Sequence, residues 1–212
     1  MANVSRVNGF RPVKHLNGSP YNGQANIYEV PAGEAIPVFI GDLVKLSDSD
    51  ATAGYPAVES VSTATTAITG NAAVAIVGCV VGIVNSKLDV DGKMTTSSVS
   101  LDIPIYRPAS TKQFVLVADA PDIIFEAEAA AAVALTDVGL NADISSAAQT
   151  AGGGTGTSRQ GVSTTAPGTV ATRPLQIVGI SKKVDNEPAA AYNKVLVRIN
   201  THQYGAAGLA GL

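Results

Sequence analysis

A chain of 212 residues is long enough for one large β domain or two small ones, each with a core of its own. Its hydrophobic share of 46% comes from Ala, Val and Ile rather than aromatics, and only 15% of its residues are charged, against about 25% in an average soluble domain. The net charge of −3 argues against the basic stripe that a duplex-DNA binder needs; one cysteine excludes an internal disulfide framework and, with two histidines, a thiolate-rich zinc site.

Few charges mean little self-repulsion, so neighbours are expected to cover much of the surface. The N-terminus MANVSRVNGFRP has no apolar signal-peptide core, and no run is long enough to span a bilayer. The expectation is a soluble chain made in the cytoplasm, with no membrane and no nucleic-acid partner.

Residues 1–28 read as an extended N-terminal arm. Asn8-Gly9, Arg11-Pro12, Asn17-Gly18, Ser19-Pro20 and Asn22-Gly23 are turn or breaker signals. Between them stand Phe10, Val13, Leu16, Tyr21, Ile27 and Tyr28, a spacing of anchors that a disordered tail rarely carries. Such an arm orders against a partner surface or folds back on its own domain. Arg6, Phe10, Arg11, Val13, His15, Leu16, Tyr21, Ile27 and Tyr28 are therefore the candidate interface residues.

Residues 29–204 read as a β domain, with a split into two sub-units near 95–100 left open. Ala35–Ile40 and Leu43–Leu46 flank a Gly41-Asp42 turn, Asp48–Pro56 is a loop, and Ala57–Ile68 alternates with Val58, Val61 and Ile68 inward. Ala73–Val84 is the most apolar run and is rich in β-branched residues; it predicts one or two central strands bent near Gly78. Cys79 lies inside that run and reads as a small buried hydrophobe. Asp89–Gly92 looks like a hairpin turn, and Pro104 confines Leu101–Tyr106 to an edge or bulge.

Thr111–Ala118 is a strand, Asp119–Asp122 breaks it and Ile123–Glu126 resumes. Helix propensity rises over Ala127–Leu135, although the flanks are strand-like and no cap or amphipathic face is present. Ser145–Arg173 is Gly/Ser/Thr-rich and reads as a surface loop. Leu175–Ile180 and Lys194–Asn200 are strands around a loop at Asp185–Pro188, with Val195, Val197 and Ile199 on one face and Lys194, Leu196 and Arg198 on the other. Residues 205–212 form a flexible tail. The fold class expected is all-β, a small barrel or sandwich of jelly-roll or β-tulip type, with at most one short helix.

No stretch assembles chemistry. Gly152–Ser158 lacks the lysine of a phosphate-cradling loop, and Thr157 stands in its place. His15 and His202 lie near opposite ends of the chain, no G-x-S-x-G elbow occurs, and an apolar setting raises a thiol's pKa. Asp89–Gly92 is too short for a calcium loop, and Asp119 and Asp122 flank Pro121 as turn-capping residues would. The expectation is no catalytic site, no metal and no cofactor.

Five segments resemble tailed-bacteriophage virion proteins: MANVSRVNGFRPVKHLNGSPYNGQAN at Met1–Asn26, FIGDLVKL at Phe39–Leu46, YRPASTKQFVLVADAPDIIFE at Tyr106–Glu126, DVGLNADI at Asp137–Ile144 and VLVRINTHQYG at Val195–Gly205. The resemblance implies a capsid cement or decoration protein on the outside of the head. It implies homotrimers that bind the major capsid protein and bridge capsomers, without catalytic residues. The alternative from another class is a fibre or adhesin module that binds host surface glycan, against which the absence of Trp and the few Tyr weigh.

Overall fold

The computed structural model describes residues 3–48, 54–61, 74–84, 105–146, 156–163 and 166–205. Among them the strands are β1 (Arg11–His15), β2 (Asn26–Val30), β3 (Leu43–Leu46), β4 (Val58–Ser60), β5 (Gly78–Val84), β6 (Gln113–Ala118), β7 (Ile123–Glu128), β8 (Asn141–Ala142), β9 (Ile144–Ser146), β10 (Gln160–Val162), β11 (Leu175–Ile180) and β12 (Lys194–Ile199). They form two antiparallel five-stranded sheets packed as a sandwich, in the orders β1-β7-β12-β11-β8 and β2-β6-β5-β3-β4, with a small β9-β10 ribbon. The only helical element described is one 3-10 turn at Leu135–Asp137, and among the described residues no helix is long and apolar enough to cross a membrane.

The chain moves between sheets wherever its sequence breaks. β6 belongs to the second sheet and β7 to the first, so Asp119-Ala120-Pro121-Asp122 is the corner that carries the chain across. Period-2 alternation then decides what meets in the middle. Leu43, Cys79 and Ala118 of the second sheet face Phe125, Ala127, Ile177, Val195 and Val197 of the first in one buried cluster. Each of the fully buried Leu, Ile, Val and Phe side chains contributes about 1.5–3 kcal/mol.

The opposite face of the second sheet is also dry. Tyr28, Val30, Val44, Val58, Val80, Val115 and Val117 form a second buried cluster with Val38 and Val77. The sheet curls around them until its edges touch. Glu29 and Ala57 form a single parallel bridge, and the Glu29 N–H donates to the Pro56 carbonyl at 3.0 Å. One bridge is not a ladder, so the curl stops short of a closed barrel and the architecture is a sandwich.

The remaining edges carry their own coverings. β1 turns back on itself through Asn17 and Gly18, where Gly18 has a φ of 91° that suits glycine. Lys14 then bridges Pro20, and the Tyr21 N–H donates to Val13 O at 3.1 Å. At the far edge, Asn141 of β8 bridges Gly168.

Four sequence expectations need correction. The segment 1–28 is not a free arm: β1 pairs with β7 and β2 with β6, so it supplies an edge strand to each sheet. Phe10 and Tyr28 hold it there by burying their rings. Ala35–Ile40 makes only isolated bridges, at Val38 and Ile40, because Pro37 has no N–H to give a ladder. The irregularity in β5 lies between Val80 and Gly82 rather than at Gly78. Gly78 is instead a close approach, where a Cβ would strike the Ala118 carbonyl oxygen.

The alanine run 127–135 does not become a helix. Ala127 and Ala129 pack in the inter-sheet core and β7 runs on to Glu128, so tertiary burial overrides propensity. Ser145–Arg173 is not wholly a surface loop, since β9 pairs with β10 within it and Gln160 is buried. The Gln160 Oε1 accepts from the Leu43 N–H at 2.7 Å, tying the ribbon to the second sheet. Ile68, the Asp89–Gly92 hairpin, the 95–100 split, Leu101–Pro104, Gly152–Thr155 and residues 206–212 lie outside the described residues.

Candidate interaction surface

The nine residues singled out in the sequence divide by depth. Phe10 is 1% exposed and Tyr28 is buried, so both belong to the core and neither is available to a partner. The Phe10 N–H donates to Gly41 O at 2.8 Å. Ile27 and Tyr21 are half-buried, Ile27 opposite Leu116 in the ladder and Tyr21 against the inter-sheet core, with its hydroxyl donating to Gln24 O at 2.8 Å. Arg6, Arg11, Val13 and Leu16 are outward-facing, with Val13 43% and Leu16 53% exposed. Arg11, Val13 and Leu16 lie on or beside the edge strand β1, Arg6 lies in the segment before it, and these four form the part of the predicted set that a partner can reach.

Behind that rim the strands set charges of alternating sign across from one another. Arg11 faces Glu126 and Lys194 faces Glu128 in register. Glu126 accepts from Lys183 Nζ at 2.6 Å and from Ser181 Oγ at 2.7 Å. Burial pulls the Glu126 carboxyl upward, but those two donors outweigh it and leave the group below the usual carboxylate range. Glu128 accepts from Ser5 Oγ at 2.9 Å and from the Arg6 N–H at 2.7 Å. Asn3 completes the strap: its Nδ2 donates to Glu187 O at 3.0 Å and its Oδ1 accepts from the Glu187 N–H at 2.8 Å. The first residues are thereby laid across the first sheet, leaving Val4 exposed beside Val184 and Tyr192.

The corner Asp119–Asp122 gathers a second polar cluster that sequence separation hides. Asp119 accepts from Asn26 Nδ2 at 2.9 and 3.0 Å and from the Tyr28 hydroxyl at 2.7 Å. Burial first, then the hydrogen bonds with Tyr204 and Asp119, hold the Tyr28 phenol well above its ordinary pKa. His15 Nδ1 lies 3.1 Å from Asp122 Oδ1. His202 and Tyr204 enter from the end of β12, with the Tyr28 and Tyr204 hydroxyls 3.5 Å apart. Both histidines therefore flank one turn although 187 positions separate His15 from His202. Each aspartate is engaged by side chains of other strands, Asp119 from β2 and Asp122 from β1.

A His–Asp couple is half of a nucleophile-activating arrangement. Neither histidine hydrogen-bonds a serine, threonine or cysteine side chain among the described residues. Cys79 is fully buried, its thiol donates to Phe10 O at 3.2 Å, and burial pushes its pKa well up. No group of three His, Cys, Asp or Glu side chains suited to a metal ion occurs among the described residues.

Arg107, which the sequence reading passed over, is the largest fully buried side chain among the described residues. Its guanidinium donates to four carbonyls: Nε to Thr111 O at 2.7 Å, Nη1 to Glu34 O and Ile36 O at 2.8 Å each, and Nη2 to Pro31 O at 2.5 Å. Desolvation lowers its pKa to about 10, against the opposing pull of Glu34. The fork ties the connection after β2 to the approach to β6. The only sequence cue was an arginine between Tyr106 and Pro108 in a charge-poor chain.

Comparison with protein-family models, with curated proteins and with solved structures found no match.

Proposed function

We propose that the chain is a non-enzymatic structural protein of a tailed-phage virion, of the cement or decoration type. It binds the outside of the head, contacts the major capsid protein and bridges capsomers as a homotrimer. The observation that carries this reading is the resemblance of five separate segments to phage virion proteins. The fold gives those segments structural work. Met1–Asn26 contains β1 and its turn, Tyr106–Glu126 contains the Arg107 clamp, β6 and the corner, and Val195–Gly205 contains most of β12 and its exit.

An exterior position suits the net charge of −3, because a lumen-facing subunit would meet packaged DNA. A closed trimer uses two different patches on each protomer, so the exposed β1 rim and the body of the sandwich need not match. Many modest contacts per trimer then hold firmly in combination.

Native mass spectrometry of the full chain, together with co-sedimentation on undecorated tailed-phage heads, tests the reading. Trimers that load onto heads are expected. Val13→Lys with Leu16→Lys changes only exposed side chains, so it should leave folding intact and abolish loading. A monomer that ignores heads, or a double variant that decorates them fully, overturns respectively the function or the place of contact.

A further inference from the structure

His202 is 6% exposed, and its Nδ1 lies 3.1 Å from the amide nitrogen of Tyr204. An amide N–H can only donate. Nδ1 must therefore be the bare, accepting nitrogen, and the ring's single proton belongs on Nε2. The ring caps the next two residues much as an asparagine side chain caps an Asx turn. Around it the exit from β12 is drawn tight. The Gln203 N–H donates to Ile76 O at 2.8 Å, the Gly205 N–H donates to His202 O at 3.2 Å, and a Cβ on Gly205 would sit 3.1 Å from His202 Cβ and 3.2 Å from Pro121 Cβ.

A second proton has one place to go, and it is the nitrogen that faces the Tyr204 N–H. Two donors would then point at each other. Nε2 has no partner within hydrogen-bond geometry, so only the pull of Asp119 favours the charged form. The groups that bear on the ring are Asp119 from the sheet-crossing corner, whose carboxylate and backbone favour the cation, and Tyr204, whose ring lies 6.1 Å away. The Asp119 carboxylate is already engaged by Asn26 and by the Tyr28 hydroxyl, and Asp122 by His15. Burial outweighs the pull of Asp119 and holds His202 below the ordinary histidine pKa.

We propose that His202 is a proton-operated latch on the turn that follows β12: the neutral ring holds the Tyr204 amide and the turn closed, and protonation frees Gln203–Gly205 from the end of the sandwich. The device is independent of what the protein binds. It opens on acidification and closes again as the proton leaves.

Amide exchange of the full-length protein, followed by NMR between about pH 8 and pH 5 and corrected for intrinsic rates, tests it. The Tyr204 and Gly205 amides should be protected while His202 is neutral, and should lose protection by about tenfold per pH unit once the ring titrates. His202→Asn supplies an acceptor that does not titrate and should keep both amides protected throughout; His202→Ala should leave them open throughout. His15→Gln removes the other histidine and should retain the wild-type pH response. Flat protection in the wild type while the His202 ring titrates overturns the latch, as does a wild-type pH response in His202→Asn.

Discussion

The Cys79 thiol donates to the carbonyl oxygen of Phe10 at 3.2 Å, joining the central strand of one sheet to the residue that opens the edge strand of the other. The contact lies inside the inter-sheet core, and it makes the N-terminal segment part of the folding unit. Phe10→Ala should therefore cost about 3–5 kcal/mol. Leu16→Ala, at the exposed end of the same segment, should fall within about 0.5 kcal/mol of wild type. Urea unfolding of the two variants checks both, and equal midpoints would mean that the segment is not integral.

Arg107 offers a sharper substitution. Arg107→Ala strands four carbonyls that shared one guanidinium, the Pro31 contact buried and the other three partly so, and a loss of about 3–5 kcal/mol is expected, the scale on which a broken buried charged contact is felt. Arg107→Lys keeps the charge but not the planar fork, so it should still lose more than about 1 kcal/mol. A lysine variant as stable as wild type in chemical denaturation would show that charge alone, and not the fork, holds the connection.

The two glycines of β5 should respond differently to alanine. At Gly78 the new methyl meets the fixed Ala118 carbonyl, so overpacking of about 1–3 kcal/mol is expected. At Gly82 it meets the Leu116 Cδ1 at 3.2 Å, the end of a side chain that can turn aside. Gly82→Ala should be the milder change by thermal melting, and the reverse order would contradict the packing described.

Glu126 sets a pH dependence at the acid end. Its carboxyl lies below the ordinary value of 4.5 in the folded chain, so the unfolded chain binds the proton more readily. The resulting stability is present above that value and is lost as pH falls through the folded one. Because Lys183 is 54% exposed, solvent screening keeps the contribution within about 1 kcal/mol. Lys183→Met should flatten the acid limb of stability against pH by removing up to about 1 kcal/mol at neutrality, with little change at the acid end where the contribution is already gone.

Much of the architecture was legible because alternation and breakers are local. Lys194–Ile199 carries its two faces in plain order, and Asp119–Asp122 announces the corner. The alanine run stays ambiguous in sequence because its outcome depends on what Ala127 and Ala129 pack against, which no local window contains. The anchors of residues 1–28 were visible, but whether they served a partner or their own domain was not, since apolar residues suit either surface. The cluster of His15, Asp119, Asp122 and His202 is a product of topology, formed only when β1, the corner and the end of β12 converge. Arg107 was unreadable for a related reason: its partners are backbone carbonyls, which every sequence has.

Bridging between Glu29 and Ala57, between Lys14 and Pro20, and between Asn141 and Gly168 leaves no long run of bare backbone donors and acceptors along either sheet's rim among the described residues. A charge-poor protein crowded at high local density would otherwise invite strand-on-strand growth into fibres. With those templates blunted from within, copies of this chain are left to meet through side chains, which favours association that ends at a fixed number over association that runs on.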